Sequence, residues 1–73
     1  MKLPILSAKE IIKILGSEGF MPVRQEGSHI FFKHTDGRTA TVPNHPGEDL
    51  SRGMLRKIMR DTGLPRDVFV DKK

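Results

Sequence analysis

The centre of the chain, residues 20–42, reads FMPVRQE GS HIFFKH TDG RTATV when it is divided at its turn residues. The middle segment, 29–34, is the strongest strand candidate, because aromatic and β-branched side chains favour strands. It lies between two tight-turn signals, Gly27-Ser28 and the Asp-Gly dipeptide within 35–37. The pattern therefore predicts an antiparallel sheet in which this segment is the middle strand of three.

The two outer strands are indicated by the residues that flank these turns. The first is predicted over 20–26, and Pro22 near its start suits an edge strand because proline has no N–H to donate. The second is predicted over 38–42, where threonine alternates with alanine and valine as in a half-buried strand. Pro43 is predicted to end this strand.

A helix is predicted before the sheet. It begins at Ser7, which forms a capping box with Glu10. It ends at Gly19 or, in the alternative, at Gly16, because glycine readily adopts the left-handed conformation that ends helices. The apolar face of this helix comprises Ala8, Ile11, Ile12 and Leu15.

A second helix is predicted after the sheet, with Ser51 as its N-cap, Gly63 as its stop and Pro65 just beyond. Its apolar stripe comprises Met54, Leu55, Ile58 and Met59. The predicted order is α-β-β-β-α, an α+β fold built on a three-stranded antiparallel sheet. Short turns leave one face of the sheet for both helices and the other face open to solvent.

Size and composition exclude several classes of protein. The chain has 73 residues and is expected to form a single domain over 1–73, which excludes an enzyme with a cleft between two lobes. We place the core of the domain at about 7–64, with a tail over 65–73, and expect residues 1–6 and 67–73 to fray. Because the chain has no cysteine, disulfides, thiolate metal sites and thiol nucleophiles are excluded.

The hydropathy pattern bears on location. No apolar run approaches the ~20 residues that span a bilayer. The first residues contain neither the long apolar segment nor the small-residue cleavage site of a secretory signal. We therefore expect a cytoplasmic protein with no membrane partner.

The charge balance favours an anionic partner. The chain has 13 Lys and Arg against 9 Asp and Glu, a net charge of +4, and nucleic acid is the common partner of small basic domains. Arg52, Arg56 and Arg60 recur every four residues on the second helix and form a basic ridge, although a solvated helix face explains them equally well. Gly27 and Ser28 offer backbone N–H groups and a hydroxyl as a second phosphate site.

The open face of the sheet is the predicted location of the chemistry. Side chains alternate along a strand, so Ile30 and Phe32, the more apolar set, are placed toward the helices. His29 and Lys33 then lie on the open face, with backbones roughly 13 Å apart at a rise of ~3.3 Å per residue. This spacing lets both contact one nucleic-acid strand, at different phosphates. Phe31 between them can stack on a base, although such a residue is more often covered by a neighbouring strand or a partner.

His29 has the chemistry that RNA cleavage requires, since imidazole takes or gives a proton near neutral pH. A metal-free route would activate the ribose 2′-hydroxyl to attack the adjacent phosphate. The carboxylates are scattered, so we expect no metal and no cofactor. On spacing alone, however, a lone exposed histidine is more often an ordinary surface residue. His34 is expected to face the helices or cap its strand, and His45 to fix its loop, so the second proton-transfer group stays unassigned.

Two blocks of the sequence resemble the HicA toxin family. Segment 23–29, VRQEGSH, followed by FKH at 32–34, resembles the core R-Q-x-G-S-H motif of that family. Segment 42–50, VPNHPGEDL, followed by GMLRKI at 53–58, resembles its loop and final helix. Two motifs in the same order make the resemblance fairly specific, and it extends from about 7 to 64.

The resemblance implies a small ribonuclease toxin, an mRNA interferase of a type II toxin–antitoxin system, with a double-stranded-RNA-binding-like fold. It implies mRNA as the substrate and a HicB-type antitoxin that covers the active site. The essential histidine of the family maps onto His29, and the turn of the motif maps onto Gly27 and Ser28. Two alternatives are a non-catalytic RNA-binding module of the same fold and a protein whose open sheet face only docks a partner.

Overall fold

The structure is a computed structural model that describes residues 4–45 and 47–70. The described part contains, in chain order, α1 (Ala8–Ser17), β1 (Phe20–Glu26), β2 (His29–His34), β3 (Thr39–Pro43), α2 (Arg52–Thr62) and α3 (Arg66–Val70). The predicted α-β-β-β-α order and the α+β class are confirmed, and a short third helix follows. Residues 1–3 and 71–73, which belong to the ends expected to fray, and Pro46 in the predicted loop lie outside the described residues.

The sheet has the order β1-β2-β3, and both neighbouring pairs are antiparallel. Glu26 pairs with His29, so the first hairpin turn consists of Gly27 and Ser28 alone. Gly27 has a φ of 58°, which is the left-handed value that a type II′ turn needs at its first position. The strand bounds predicted for β1 and β2 are confirmed, and β3 begins and ends one residue later than predicted.

The helix ends are set by the predicted caps. The Ser7 hydroxyl accepts a hydrogen bond from the Glu10 N–H at 3.2 Å, and the Glu10 carboxylate accepts one from the Ser7 N–H at 2.9 Å. At α2 the Ser51 hydroxyl accepts from the Met54 N–H at 3.1 Å. Gly63 ends α2 in the left-handed conformation, with a φ of 72°.

The end of α1 distinguishes the two candidate stops. Gly16 lies inside the helix, which continues to Ser17 and has Glu18 as its C-cap. Gly19 follows with a φ of 93° and turns the chain into β1. Gly19 is therefore the glycine at which the backbone leaves the helical path.

The hydrophobic core lies between the sheet and the helices. α1 packs on β1 and β3, α2 packs on β3, and all contribute to one buried cluster, so both helices lie on the same face. Phe32 is 2% exposed and Ile30 is half-buried against the core, which confirms their predicted inward placement. The largest fully buried side chains are Phe20, Phe32, Phe69, Ile11, Leu15, Leu55, Ile58, Val42 and Thr62.

Both described ends are packed, which differs from the expected fraying. Leu6 is buried, and its carbonyl accepts a hydrogen bond from the Leu50 N–H at 2.8 Å. α3 packs on α1, and Phe69 is 0% exposed. Burying one such side chain contributes about 1.5–3 kcal/mol, which helps to offset the entropy of ordering a five-residue helix.

Candidate active site on the open sheet face

The face of the sheet opposite the helices carries three cross-strand rows, one for each outward residue of β2. The rows are Glu26-His29-Pro43, Arg24-Phe31-Thr41 and Met21-Lys33-Thr39. His29 and Lys33 are exposed and Phe31 is half-buried, so the predicted assignment of faces is confirmed. The structure thus places an imidazole, an aromatic ring and an ammonium group along one strand of an open surface.

A β-bulge in β1 brings a further cation to this face. Pro22 pairs with Phe32 and Arg24 pairs with Phe31, so Val23 is the extra residue between them. By simple alternation Arg24 would share the inward face with Pro22, but the bulge reverses the alternation and turns Arg24 outward. Sequence reasoning missed Arg24, because nothing in the local sequence announces a bulge.

Arg24 covers the ring of Phe31. Its guanidinium carbon lies 4.6 Å from the ring centroid, and its Nε lies 3.5 Å from a carboxylate oxygen of Glu26. Exposed cation–π contacts contribute about 0.5–1 kcal/mol. A base can stack on a guanidinium plane as well as on an aromatic ring, so the Arg24-Phe31 pair is suited to contact with single-stranded RNA.

The loop after β3 returns to the turn before β2. The Asn44 N–H donates to the Ser28 carbonyl at 2.6 Å, and His45 Nε2 lies 3.4 Å from the Ser28 hydroxyl. The contact with Ser28 is consistent with the prediction that His45 fixes its loop. It also places a second exposed histidine at the corner where His29 begins β2.

The His29 imidazole is unengaged. Within residues 4–45 and 47–70 it makes no side-chain hydrogen bond and no ion pair. Its neighbour Glu26 is ion-paired with Arg24. Both ring nitrogens of His29 are therefore available to a substrate.

In the predicted phosphate-binding turn, Gly27 is accessible to solvent and Ser28 only partly so. Gly27 is exposed, and a Cβ at that position would meet no atom within 4 Å. Its carbonyl accepts a hydrogen bond from the Gln25 side-chain amide at 3.0 Å. Ser28 is half-buried and its hydroxyl contacts His45, so a phosphate at this turn would meet both residues.

His34 lies on the other face, as expected. Its ring packs edge-on against Phe20 with centroids 5.0 Å apart, and its Nδ1 accepts from the Asp36 N–H at 3.2 Å. A Cβ added to Gly19 would lie 2.8 Å from His34 Nε2. This histidine therefore packs between two chain segments and is not part of the open face.

The turn that follows His34 is closed by an arginine. Asp36 accepts hydrogen bonds from the Arg38 backbone N–H and from the Arg38 guanidinium, which lies 2.8 Å from a carboxylate oxygen. These bonds, the backbone one most, hold the pKa of the Asp36 carboxyl below its ordinary value of 3.8. The same guanidinium donates to the Thr62 carbonyl at the end of α2 and lies over the Phe20 ring. Arg38 thus joins the second hairpin to the helical layer.

The basic ridge lies in the helical layer. Arg56 and Arg60 are exposed and Arg52 is half-buried, while Leu55 and Ile58 on the opposite side of α2 are in the core. The sheet and the core therefore separate the ridge from the open face. The structure brings together the predicted residues on the sheet but does not bring the ridge onto the same surface.

Neither a metal-ligand cluster nor a membrane-spanning helix occurs within residues 4–45 and 47–70. No group of three or more His, Asp or Glu side chains there is placed to hold a metal ion. No helix in those residues is both long and apolar enough to cross a membrane.

The fold and the site define a small α+β domain with an open sheet face that is basic and partly aromatic and carries an imidazole to which no described side chain bonds. The chain belongs to the HicA toxin family: the family model described as HicA toxin of bacterial toxin-antitoxin matches residues 8–64. No curated protein matches the chain. Membership assigns the chain a role as the toxin of a toxin–antitoxin pair and implies an antitoxin partner. The match ends before α3, whose Phe69 nevertheless completes the core.

Proposed function

We propose that this toxin is a metal-independent endoribonuclease, an mRNA interferase, with His29 as its general acid/base. The observation that carries the proposal is the exposed His29 imidazole, which no described side chain engages, at the start of β2. Lys33 on the same strand and Arg24 on the next strand supply positive charge on the same face. Membership of a toxin family supports a destructive activity over simple binding.

The proposed reaction needs only proton transfer and charge stabilisation. His29 takes the proton of a ribose 2′-hydroxyl, and the 2′-oxygen attacks the adjacent phosphorus. The bond from phosphorus to the 5′-oxygen breaks and the 5′-oxygen takes up a proton, which leaves a 2′,3′-cyclic phosphate and a 5′-hydroxyl. Donors at Gly27 and Ser28 would stabilise the charge on the phosphate as it develops.

The remaining cations are proposed to hold the polymer. The Lys33 backbone lies roughly 13 Å from that of His29, a distance that suits a neighbouring phosphate better than the scissile one. Arg52, Arg56 and Arg60 would bind phosphates of RNA that extends around the edge of the domain onto the helical layer. A HicB-type antitoxin is proposed to neutralise the toxin by covering the open face. Since mRNA is the proposed substrate, the activity belongs in the cytoplasm.

The test is cleavage of bacterial mRNA by purified protein, together with growth after induction in a bacterial host. We expect the wild-type protein to produce ends with 2′,3′-cyclic phosphate and to arrest growth. His29→Ala should lower the cleavage rate by about 10²–10⁴, the usual contribution of a general acid or base. Lys13→Ala, which removes an exposed charge from α1, is the matched control and should cleave normally. Cleavage by His29→Ala at the wild-type rate would refute the assignment.

A second candidate function is a non-catalytic module that binds double-stranded RNA. The observation in its favour is that Arg56 and Arg60 are exposed and form no ion pair within the described part of the chain. Double-stranded RNA is held mainly through its phosphates and 2′-hydroxyls. Such a module would retain RNA in a salt-dependent manner and leave the transcripts intact.

A further inference from the structure

The chain contains three histidines, and the structure separates them by position. His34 is on the face that packs against the helices, with 22% of its side chain exposed and its ring against Phe20. His45 is exposed and lies at the same corner as His29. A proton donor for the leaving group must lie near the phosphate on which His29 acts. The contact with Ser28 places His45 beside His29, whereas His34 packs against Phe20 on the other face.

We propose that His45 is the second proton-transfer group of the ribonuclease and protonates the leaving 5′-oxygen while His29 acts on the 2′-hydroxyl. The inference rests on the function proposed above. It is carried by the contact between His45 Nε2 and the Ser28 hydroxyl at 3.4 Å, which ties the His45 ring to the residue that precedes His29.

Strand register brings the two histidines within reach of one phosphodiester. His29 pairs directly with Pro43, so their Cα atoms are about 4.5–5.5 Å apart. His45 is two residues beyond Pro43, which adds at most about 7 Å of chain. The two backbones are thus at most roughly 13 Å apart. The actual separation is set by the contact between the His45 ring and Ser28, the residue before His29, so one phosphodiester can lie between the two rings.

The loop that carries His45 is held at both ends. On one side the Asn44 N–H donates to the Ser28 carbonyl at 2.6 Å. On the other side Asp49 forms a bridge with Ser7, and the Leu50 N–H donates to the Leu6 carbonyl. These bonds restrict the position of His45, as a group that transfers protons requires.

His45 also lines a groove. It has a volume of about 490 Å³ and lies between the start of α1 and the loop after β3, with Lys9, Asn44 and Glu48 among its lining residues. A groove of this size accommodates a nucleoside. The nucleoside on the leaving side of the scissile bond would lie there, with its 5′-oxygen toward His45.

The proton balance assigns one task to each ring. The proton of the 2′-hydroxyl goes to His29, and a proton from His45 goes to the 5′-oxygen as its bond to phosphorus breaks. No proton is gained or lost overall, and the two rings have exchanged protonation states when the products leave. Because Nε2 of His45 lies against the Ser28 hydroxyl, we assign the proton transfer to Nδ1.

The decisive experiment changes the leaving group. Once the wild-type cleavage site is mapped, an oligoribonucleotide is made with sulfur in place of the 5′-oxygen at that bond. A thiolate leaves without protonation, whereas an alkoxide does not. We expect His45→Ala to lose about 10²–10⁴ in rate on the oxygen substrate and to recover nearly the wild-type rate on the sulfur substrate. His29→Ala should be slow on both.

A second variant separates chemistry from positioning. His45→Gln can keep the hydrogen bond to Ser28 but cannot transfer a proton. It should be as slow as His45→Ala on the oxygen substrate, and it should also be rescued by sulfur. Both variants should lose the fall in rate on the alkaline side of the pH profile, which reports a group that must be protonated.

The outcomes distinguish this inference from the proposed function. If the wild-type protein cleaves RNA but His45→Gln does so at the full rate, His45 only fixes the loop and the inference is wrong. If either His45 variant is slow on both the oxygen and the sulfur substrate, His45 is not the proton donor. If the wild-type protein cleaves no RNA, the proposed function fails and the inference fails with it.

Discussion

The two ends of β2 carry the same residue type in contrasting surroundings. His29 begins the strand and is exposed, and no side chain in the described part of the protein bonds to its ring. His34 ends the strand and packs against Phe20 and Asp36. Both follow or precede a glycine-containing turn. The difference arises because the two positions are five residues apart, an odd number, and therefore face opposite sides of the sheet. The location of a side chain, and not its type, leaves one histidine available for the proposed chemistry and commits the other to packing.

The largest effect should come from His29→Ala at the open end. Activity should fall by about 10²–10⁴, while the free energy of unfolding should change by about 0.5 kcal/mol or less, because the ring packs against little. RNA cleavage and chemical denaturation of the same sample measure the two quantities. A large loss of stability would mean that the His29 ring is buried in solution.

The next effect concerns the close approach at the packed end. Gly19→Ala should destabilise the protein by about 2–3 kcal/mol, since φ at this position is 93° and the new Cβ would lie 2.8 Å from His34 Nε2. Thermal unfolding would show this as a lower Tm. Gly16→Ala, inside α1, is the matched control: outside its own helix backbone and chain neighbours, its Cβ would meet no described atom within 4 Å, and the variant should be neutral or stabilising. Equal stability of the two variants would contradict the packing of His34.

His34→Ala should show the reverse of the His29→Ala pattern. Loss of the edge-on contact with Phe20 and of the hydrogen bond from the Asp36 N–H should lower stability by about 1–2 kcal/mol. At a temperature where the variant is fully folded, RNA cleavage should stay within about threefold of wild type. If cleavage instead fell as far as in His29→Ala, the division of tasks between the two ends would be wrong.

A smaller effect is expected in the helical layer. Arg56→Ala combined with Arg60→Ala should weaken RNA binding and lower the slope of log affinity against log salt by up to about 2. Binding measured across a salt series would report both. Lys13→Ala on α1 provides the comparison, and an unchanged slope in the double variant would show that the ridge is only a solvated helix face.

The smallest effect concerns the turn after His34. The pKa of Asp36 is lowered in the folded protein, so its contribution to stability is complete above the ordinary value of 3.8 and is lost as pH falls through the lowered value. The difference in free energy of unfolding between wild type and Asp36→Asn should therefore be constant near neutral pH and should disappear in strong acid. Chemical unfolding of both proteins across the acid range measures this difference. If the difference grew as pH fell, the pKa of Asp36 would be raised in the folded protein and not lowered.

Much of the fold could be predicted from local sequence. The Ser7 and Glu10 pair predicts the start of α1 because both partners of the capping box are within one helical turn. The turn at Gly27 was predictable because only a few dipeptides suit a two-residue hairpin. The α3 helix was missed, because its stability comes from Phe69 packing into a core that other segments form.

The candidate site also contains residues that could be predicted from the sequence and residues that could not. His29 could be found from the sequence because the alternation of β2 is regular and the G-S-H motif surrounds it. Arg24 could not be found, since the bulge at Val23 changes which face it occupies and has no local signature. His45 was visible only as a loop residue, and its proximity to Ser28 depends on a contact across 17 positions of the chain.

The sequence by itself determined the order of the elements, the caps, the turns and the two faces of β2, because each depends on residues within a few positions of one another. Tertiary structure decided three further features. It turned Arg24 toward Phe31, it brought the His45 loop back to Ser28, and it placed the basic ridge in the other layer. Each of these depends on strand register or on the packing of helices against the sheet, which arises from contacts between distant segments.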